Sequence, residues 1–546
     1  GAGGLMSMPL AIMGDILAPR ERAKYQGYFL AVFGISSVIG PLVGGLFAGA
    51  PEILFLAGWR WVFLINVPIG LVALAIVLRF LHIPRHPHGA VRIDWFGAMA
   101  VIIALVPLLL VAEQGREWGW TSPIAIACYI IGGLGILAFI LIERSMGDDA
   151  LIPLKLFRSS TFSMATIIGV FVGFAMFGAM LTLPLYLQLV LGSSPTESGF
   201  QLLPMILGLM ISSIVSGQII ARTGHYRIFP TIGTAFMALG FFTLTFVRYD
   251  TSYWQIAGAM LLIGLGLGQL MQTLTIASQN SVGPRDIGVA TSGSTFFRQI
   301  GGTLGTAVLL SLLFTLVPLN LQTNFKDQAT LSDALDAALD PTVATAPANA
   351  GIMSKVYDPF VAKLTDGALS GAQQGVEQAK TAAADAVAQQ VAAGTITAAA
   401  QAQVTAAAQE QAIQQAAAAI QQQLPVAKVA SDGTVTLDFS DATARRAFVD
   451  QAVPQIIDGM SNSSDASFDN STMDDTSFLN GADPRLTKPL LVSFNQSSIS
   501  VYWVAMGVAL IAFVLTLFFR TPPLRQKSAL QESADAARHA EPIALG

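Results

Sequence analysis

The chain has 546 residues, of which 53% are hydrophobic and only 12% charged, with a mean hydropathy of +0.61. A charged share about half that of an ordinary soluble domain excludes a single water-soluble globule and a disordered chain. The net charge is −5, and the lone cysteine, Cys128, excludes an internal disulfide.

Apolar runs fall at 1–14, 27–49, 61–79, 95–112, 123–142, 164–191, 200–221, 229–247, 254–281, 289–317 and 496–519. Most reach the roughly 20 residues that a helix needs to cross a bilayer. The first is short, opens in mid-helix without a methionine, and leads us to expect residues upstream. Alternate connections carry Arg20, Arg22, Lys24, Arg79, Arg85, Arg92, Arg144, Lys155, Arg158, Arg222, Arg227 and Arg285, whereas the short loops between them carry only Arg60, Arg116 and Arg248. This bias predicts that the first set and the C-terminal tail are cytoplasmic. His82, His86 and His88 fall in a loop broken by Pro84 and Pro87, which we read as a solvated linker.

The polar stretch 318–494 holds 19 acids against 9 bases, and the alternation places it outside the cytoplasm. Its Ala/Gln-rich part, 366–424, predicts two antiparallel helices of about seven turns each. Gly394 interrupts them, Thr397 caps the second, and Pro425 stops it. Asp432-Gly433 predicts a β-hairpin, and the Ser/Asn/Asp-rich 461–484 a linker.

In the second run, Gly27, Gly34, Gly40, Pro41, Gly44 and Gly45 fall on one helix, "GYFLAVFGISSVIGPLVGG". Glycines at this spacing allow close helix packing, and Pro41 removes a backbone donor. Arg298 lies about nine residues into a span. It either faces the bundle or a wet cavity, or snorkels to the inner surface. Gln269, Gln272 and Gln279 share roughly one helix face. With Asn66, Gln188, Met205, Met271, Phe171, Phe174 and Tyr186 they are candidates for a mixed cavity suited to amphipathic molecules. Asp15, at the inner end of the first helix, joins Arg222, Arg227 and Arg298 as a candidate gating or charge network. Glu113, Glu117, Glu143, Asp94, Glu197, Asp250 and Asp286 all sit at helix ends or in loops, away from span centres. No Gly-Lys-Ser/Thr phosphate loop, metal cluster or nucleophile constellation stands out, and no basic patch with aromatics points to nucleic acid. We expect no enzyme and no cofactor.

The glycine-rich segment resembles the antiporter motif of the fifth helix in the fourteen-helix drug:proton antiporters of the major facilitator superfamily. Ser36 stands where a stricter form of that motif has Gly. Three further patches resemble the same family. "GAGGLMSMPLAIMGDILAPRERAKYQG" is similar to the end of its fourth helix and the following loop. "GWRWVFLINVPIG" (Gly58 to Gly70) is similar to the entry to the sixth. "GPRDIGVATSGSTFFRQIGGTLGTA" (Gly283 to Ala307) is similar to the start of the thirteenth. "GQIIARTGHYR" (Gly217 to Arg227) resembles the second-half copy of the family's basic loop, where Arg222 and Arg227 would brace helix ends.

The resemblance implies an all-α polytopic membrane protein: a major facilitator fold lacking its first three helices, with a large helical extracytoplasmic insertion before the last span. The lost part would hold the basic loop between helices two and three and the acid usually placed in helix one. The expected organisation is a remnant of the first bundle at 1–79, two extra helices with linkers at 80–160, and the second bundle at 161–317. An outer helical domain follows at 318–494, then the last span at 495–519 and a cytoplasmic tail at 520–546. The implied activity is export of small amphipathic drugs across the plasma membrane in exchange for protons. Export of lipids or hydrophobic metabolites, or a transport-incompetent fragment anchoring the outer domain in the bilayer, are the alternatives.

Overall fold

The computed structural model describes residues 2–50, 52–80, 92–462, 477–479, 481–525, 527–528 and 531. The histidine loop and most of the 461–484 linker lie outside the described residues. Two compact units divide the chain: Gly1–Leu313 with Ser497–Gly546, and Phe314–Gln496.

In the first unit the helices are α1 (Ala2–Ile16), α2 (Pro19–Gly49), α3 (Gly58–Leu64), α4 (Asn66–Phe80), α5 (Trp95–Trp118) and α6 (Pro123–Met146). Then come α7 (Ser160–Leu189), α8 (Pro195–Gln201), α9 (Leu203–Thr223), α10 (Ile228–Leu244), α11 (Tyr253–Asn280) and α12 (Ile287–Phe325). A two-stranded pair, β1 (Glu52–Ile53) and β2 (Leu56–Ala57), sits before α3. Among the described residues, eight helical segments are long and apolar enough to cross a membrane.

Several expected spans differ from the observed helices: the last begins at Pro484, ahead of the expected 496, and that expected over 289–317 runs on to Phe325. The second begins at Pro19, not at 27, because proline at the first turn starts a helix at little cost. That brings Arg22 and Gln26 onto the α2 helix. The third is split at Ile65, and the Asn66 amide donates back to the Val62 and Phe63 carbonyls (3.2 and 3.3 Å). The 200–221 segment is split at Leu202, with Pro204 opening α9. There α8 carries a capping box in which Ser194 and Glu197 satisfy each other's backbone N–H.

Packing in this unit depends on small residues. α11 lies between α9 and α10. A Cβ on Gly264 would strike the Met205 carbonyl, and one on Gly173 of α7 the Arg298 carbonyl of α12. No side chain fits there, so the backbones meet directly, as small residues permit in membrane bundles. By contrast α4 has no buried residue, and its Val, Ile and Leu side chains are exposed. Such a surface suits hydrocarbon rather than water.

The second unit contains α13 (Gln328–Leu339), α14 (Pro341–Ala344), α15 (Ala350–Ile352), α16 (Asp358–Ala392), α17 (Gln401–Gln423) and α18 (Ala442–Asn462). α12 ends and α19 (Pro484–Leu517) begins in its residue range. α16 and α17 pack on one another, and β3 (Ala427–Val429) pairs antiparallel with β4 (Val435–Leu437) around a turn with Gly433 at φ +88°. The helix pair and hairpin lie where the sequence places them. However, α16 has 35 residues and starts at Asp358, and Thr397 caps nothing, since α17 opens at Ala400 without a side-chain cap. Gln373 fastens the hairpin to α16, donating to the Gly433 carbonyl (3.1 Å) and accepting from Val435 N–H (3.0 Å).

A buried guanidinium joins α13 to α18. Arg445 contacts Asp336 and Asp340 at 3.0 Å each and donates to the Phe439 carbonyl at 2.8 Å. The hydrogen bond from Thr342, followed by the charges of Arg445 and Arg485, holds the Asp340 carboxyl below its usual range. The Arg485 hydrogen bond does the same for Asp483. A carboxylate lowered in the native state stabilises the fold fully above its unfolded value of about 4 and ceases to do so as pH falls through the lowered native value. Limited pepsin digestion of the full chain is therefore expected to leave 314–462 protected at pH 5 and to open it as the pH drops below about 4. Unchanged protection down to pH 2 would contradict this account.

Candidate functional site: a cavity between α2, α7, α9, α11 and α12

Within the first unit lies a cavity of about 490 Å³. α2 lines it with Gln26, Phe29, Leu30 and Gly34. Met176, Phe177 and Met180 come from α7, and Met205, Ile206 and Leu209 from α9. α11 adds Leu267, Met271, Gln272 and Thr275, and α12 adds Thr295, Arg298 and Gln299. The walls are mainly thioether, aromatic and aliphatic, with a few amides and hydroxyls and one guanidinium. The volume lies in the range that encloses drug-sized molecules.

The lining of α2 follows from helical spacing. Arg22, Gln26 and Leu30 recur every four residues, with Ala23, Gly27 and Ala31 beside them, and all are buried. Gly27 meets the Ser213 carbonyl of α9, where a Cβ would lie at 3.0 Å. Gly34 packs on Ile206 and Met210 and opens onto the cavity. Gly40 and Gly44 have nothing within 4 Å, so the close packing of the glycine motif falls in its first half. Pro41 and Gly45 lie on α2, which runs unbroken to Gly49.

Below the cavity, buried polar groups tie α1 and α2 to α11 and α12. Arg22 is 1% exposed. Its Nη1 donates to Gln279 Oε1 (2.8 Å), and its Nη2 donates to the carbonyls of Gly14 and Leu17. Asp15, half-buried, is near enough to act on Arg22 electrostatically. Gln279 Nε2 donates to the Leu10 carbonyl (3.2 Å) and to Thr291 Oγ1 (2.8 Å). About two turns along α11, Gln272 donates to the Ala23 carbonyl and accepts from Ser213 and Ser216 at 3.4 Å each. The neighbouring Asn280 holds the chain after the last helix, donating to Pro523 O (3.1 Å) and accepting from Arg525 N–H (3.2 Å).

The candidate residues thus divide. Gln272 and Arg298 line the cavity, with Met205 and Met271. The other expected cavity residues are not among those lining it, and the polar ones bond elsewhere. Gln279 belongs to the Arg22 tie. Gln269 bonds the Leu265 carbonyl of its own helix (3.2 Å), and Gln188 bonds Ser198 (3.0 Å). Asn66 bonds its own helix. Tyr186 donates to the Arg248 carbonyl (3.2 Å). Arg222 and Arg227 are exposed at the end of α9 and the start of α10, apart from Arg298. Two residues that sequence reasoning passed over, Arg22 and Gln26, are among the most deeply buried polar groups. Their four-residue spacing ahead of Gly27 and Leu30 was the available signal.

A bundle of apolar helices with direct backbone contacts, internal polar ties and a ligand-sized chamber defines a polytopic α-helical membrane protein. The chain belongs to the Major Facilitator Superfamily, whose sequence profile matches residues 1–306. It is 35% identical over 361 residues to the Multidrug transporter protein MdtP of Bacillus subtilis (strain 168), a match covering 66% of this chain and 63% of that protein. It is 39% identical over 221 residues to a Tetracycline resistance determinant of Streptomyces rimosus, covering 40% and 64%. To Multidrug resistance protein 3 of Bacillus subtilis (strain 168) it is 32% identical over 309 residues, covering 56% and 59%. The chain spans less than two thirds of each relative's own length.

Replacing Gln279 with Leu removes an acceptor from a buried guanidinium. A hydrogen bond to a charged group contributes roughly 1.5–3 kcal/mol, so the variant is expected to lose about 2 kcal/mol. Denaturant unfolding of the purified chain followed by helical circular dichroism measures it; an unaltered midpoint would remove the tie from this account.

Proposed function

We propose that this chain carries the substrate site of a secondary active exporter of amphipathic drugs, driven by proton exchange and working by alternating access. The observation that carries the reading is the Met- and Phe-walled cavity. Flexible thioethers and aromatic faces fit many apolar shapes, and scattered amides orient them. Family membership and the multidrug and tetracycline-resistance relatives support export rather than uptake. Proton exchange rests on the resemblance to drug:proton antiporters, and among the described residues lining the cavity there is no carboxylate to carry the proton.

In this reading the bilayer is the protein's solvent. The positive-inside bias puts the C-terminal tail in the cytoplasm and 318–494 on the outer side of the plasma membrane. The helices before and after the central pair α5–α6 rock about the cavity. The ties of Arg22 and Gln272 then hold one closed arrangement, and Asp15 modulates the Arg22 charge. Gly27 lets α2 slide close against α9.

Cells producing the chain are expected to accumulate less tetracycline than vector controls, and a protonophore should abolish the difference. Gly27→Leu should raise accumulation to the control level with the protein still in the membrane. Accumulation equal to the vector control with the unaltered chain would refute the proposal.

A further inference from the structure

Among the described residues three arginines are deeply buried, and they are not treated alike. Arg22 reaches a side-chain amide and two carbonyls, and Arg445 reaches two carboxylates and a carbonyl. Arg298 is 7% exposed and lines the cavity, yet no hydrogen bond or ion pair to its guanidinium is found among the described residues. Its backbone is fixed, because the Arg298 carbonyl abuts Gly173, where no Cβ fits. The other two guanidiniums are met by protein acceptors, apart from Arg22 Nε, whereas the five donors of Arg298 are left to whatever occupies the chamber.

A second group lies on the same wall. Gln26, 1% exposed and also on the cavity wall, leaves both its amide oxygen and its amide nitrogen without a partner. Buried polar groups are rarely left so, and a cluster of them beside a chamber marks where a ligand or water completes the bonding. No Asp or Glu is among the described lining residues, so the only formal charge facing the chamber is positive.

We infer that the cavity selects amphipathic molecules bearing a carboxylate or similar anionic acceptor, with Arg298 as counter-ion and Gln26 as a neutral orienting partner. This rests on the reading of the cavity as the substrate site, and it narrows the amphipathic drugs implied by the family resemblance to anionic ones. A planar guanidinium matches a carboxylate in a two-pronged geometry, which a water-poor, Met-lined chamber strengthens. A lipophilic cation would meet the same guanidinium as a like charge.

The test is direct binding, using the purified full chain in lipid nanodiscs and three ligands with one apolar body: dansylglycine (anionic), dansylamide (neutral) and dansylcadaverine (cationic). Empty nanodiscs correct for partition into lipid. Dansylglycine is expected to bind at least about tenfold more tightly than dansylcadaverine, the equivalent of one 1.4 kcal/mol step. Arg298→Gln should remove that preference while leaving dansylamide affinity within about threefold, and Arg298→Lys should restore part of it. Gln26→Leu, which keeps the charge, should weaken dansylglycine less than Arg298→Gln does, and it serves as the second variant if Arg298→Gln does not fold.

Equal or tighter binding of the cation would overturn the inference, as would a uniform loss for all three ligands in Arg298→Gln or no binding of any of them. Binding does not depend on export. Dansylglycine selectivity without drug export would sink the transport proposal alone, whereas export without that selectivity would sink only this inference.

Discussion

The contact on which the first unit depends is the one between the Arg22 guanidinium and Gln279. A charge 1% exposed in an apolar bundle must be answered by the protein, since no bulk water reaches it. Gln279 answers it from α11, and the carbonyls of Gly14 and Leu17 answer it from the end of α1 and the turn beyond. Because Gln279 also binds Leu10 and Thr291, one amide fixes the relation of α1, α2, α11 and α12. The cavity lies where α2, α11 and α12 part from α7 and α9 around Met and Phe side chains.

The same physics explains what is left open. Where helices meet through Gly173 or Gly264 the contact is dry and fully packed. Where they part, Arg298 lines the chamber, and both amide atoms of Gln26 beside it lack a protein partner. The Arg22 and Gln272 bonds hold the bundle together, and Arg298 and Gln26 line the chamber. Removing the first pair should loosen the structure, and removing the second pair should alter what enters it.

Much of the architecture was legible in the sequence because membrane helices announce themselves by continuous apolar runs, and the outer helical pair by Ala and Gln with Gly394 and Pro425 as breaks. The start of α2 was not, because Arg20, Glu21, Arg22 and Lys24 lower its hydropathy although Arg22, Gln26 and Leu30 keep helical register. The candidate site was only partly legible. Gln269, Gln272 and Gln279 carry the same side chain on one helix, yet the first bonds its own backbone, the second the α2 backbone beside the cavity, and the third Arg22. Composition cannot separate these, because the difference lies in which neighbouring helix each amide meets. The same holds for the glycine motif, where Gly27 and Gly34 touch α9 but Gly40 and Gly44 do not.

The most direct measurement is a double-mutant cycle on Arg22 and Gln279, using Arg22→Met, Gln279→Leu and the double variant, read by denaturant unfolding of the purified chain. If the guanidinium–amide contact joins α2 to α11, the two changes are non-additive, with a coupling of about 1–3 kcal/mol. Effects that add to within about 0.5 kcal/mol would mean that the two residues act independently, and the account of what shapes the cavity would fail.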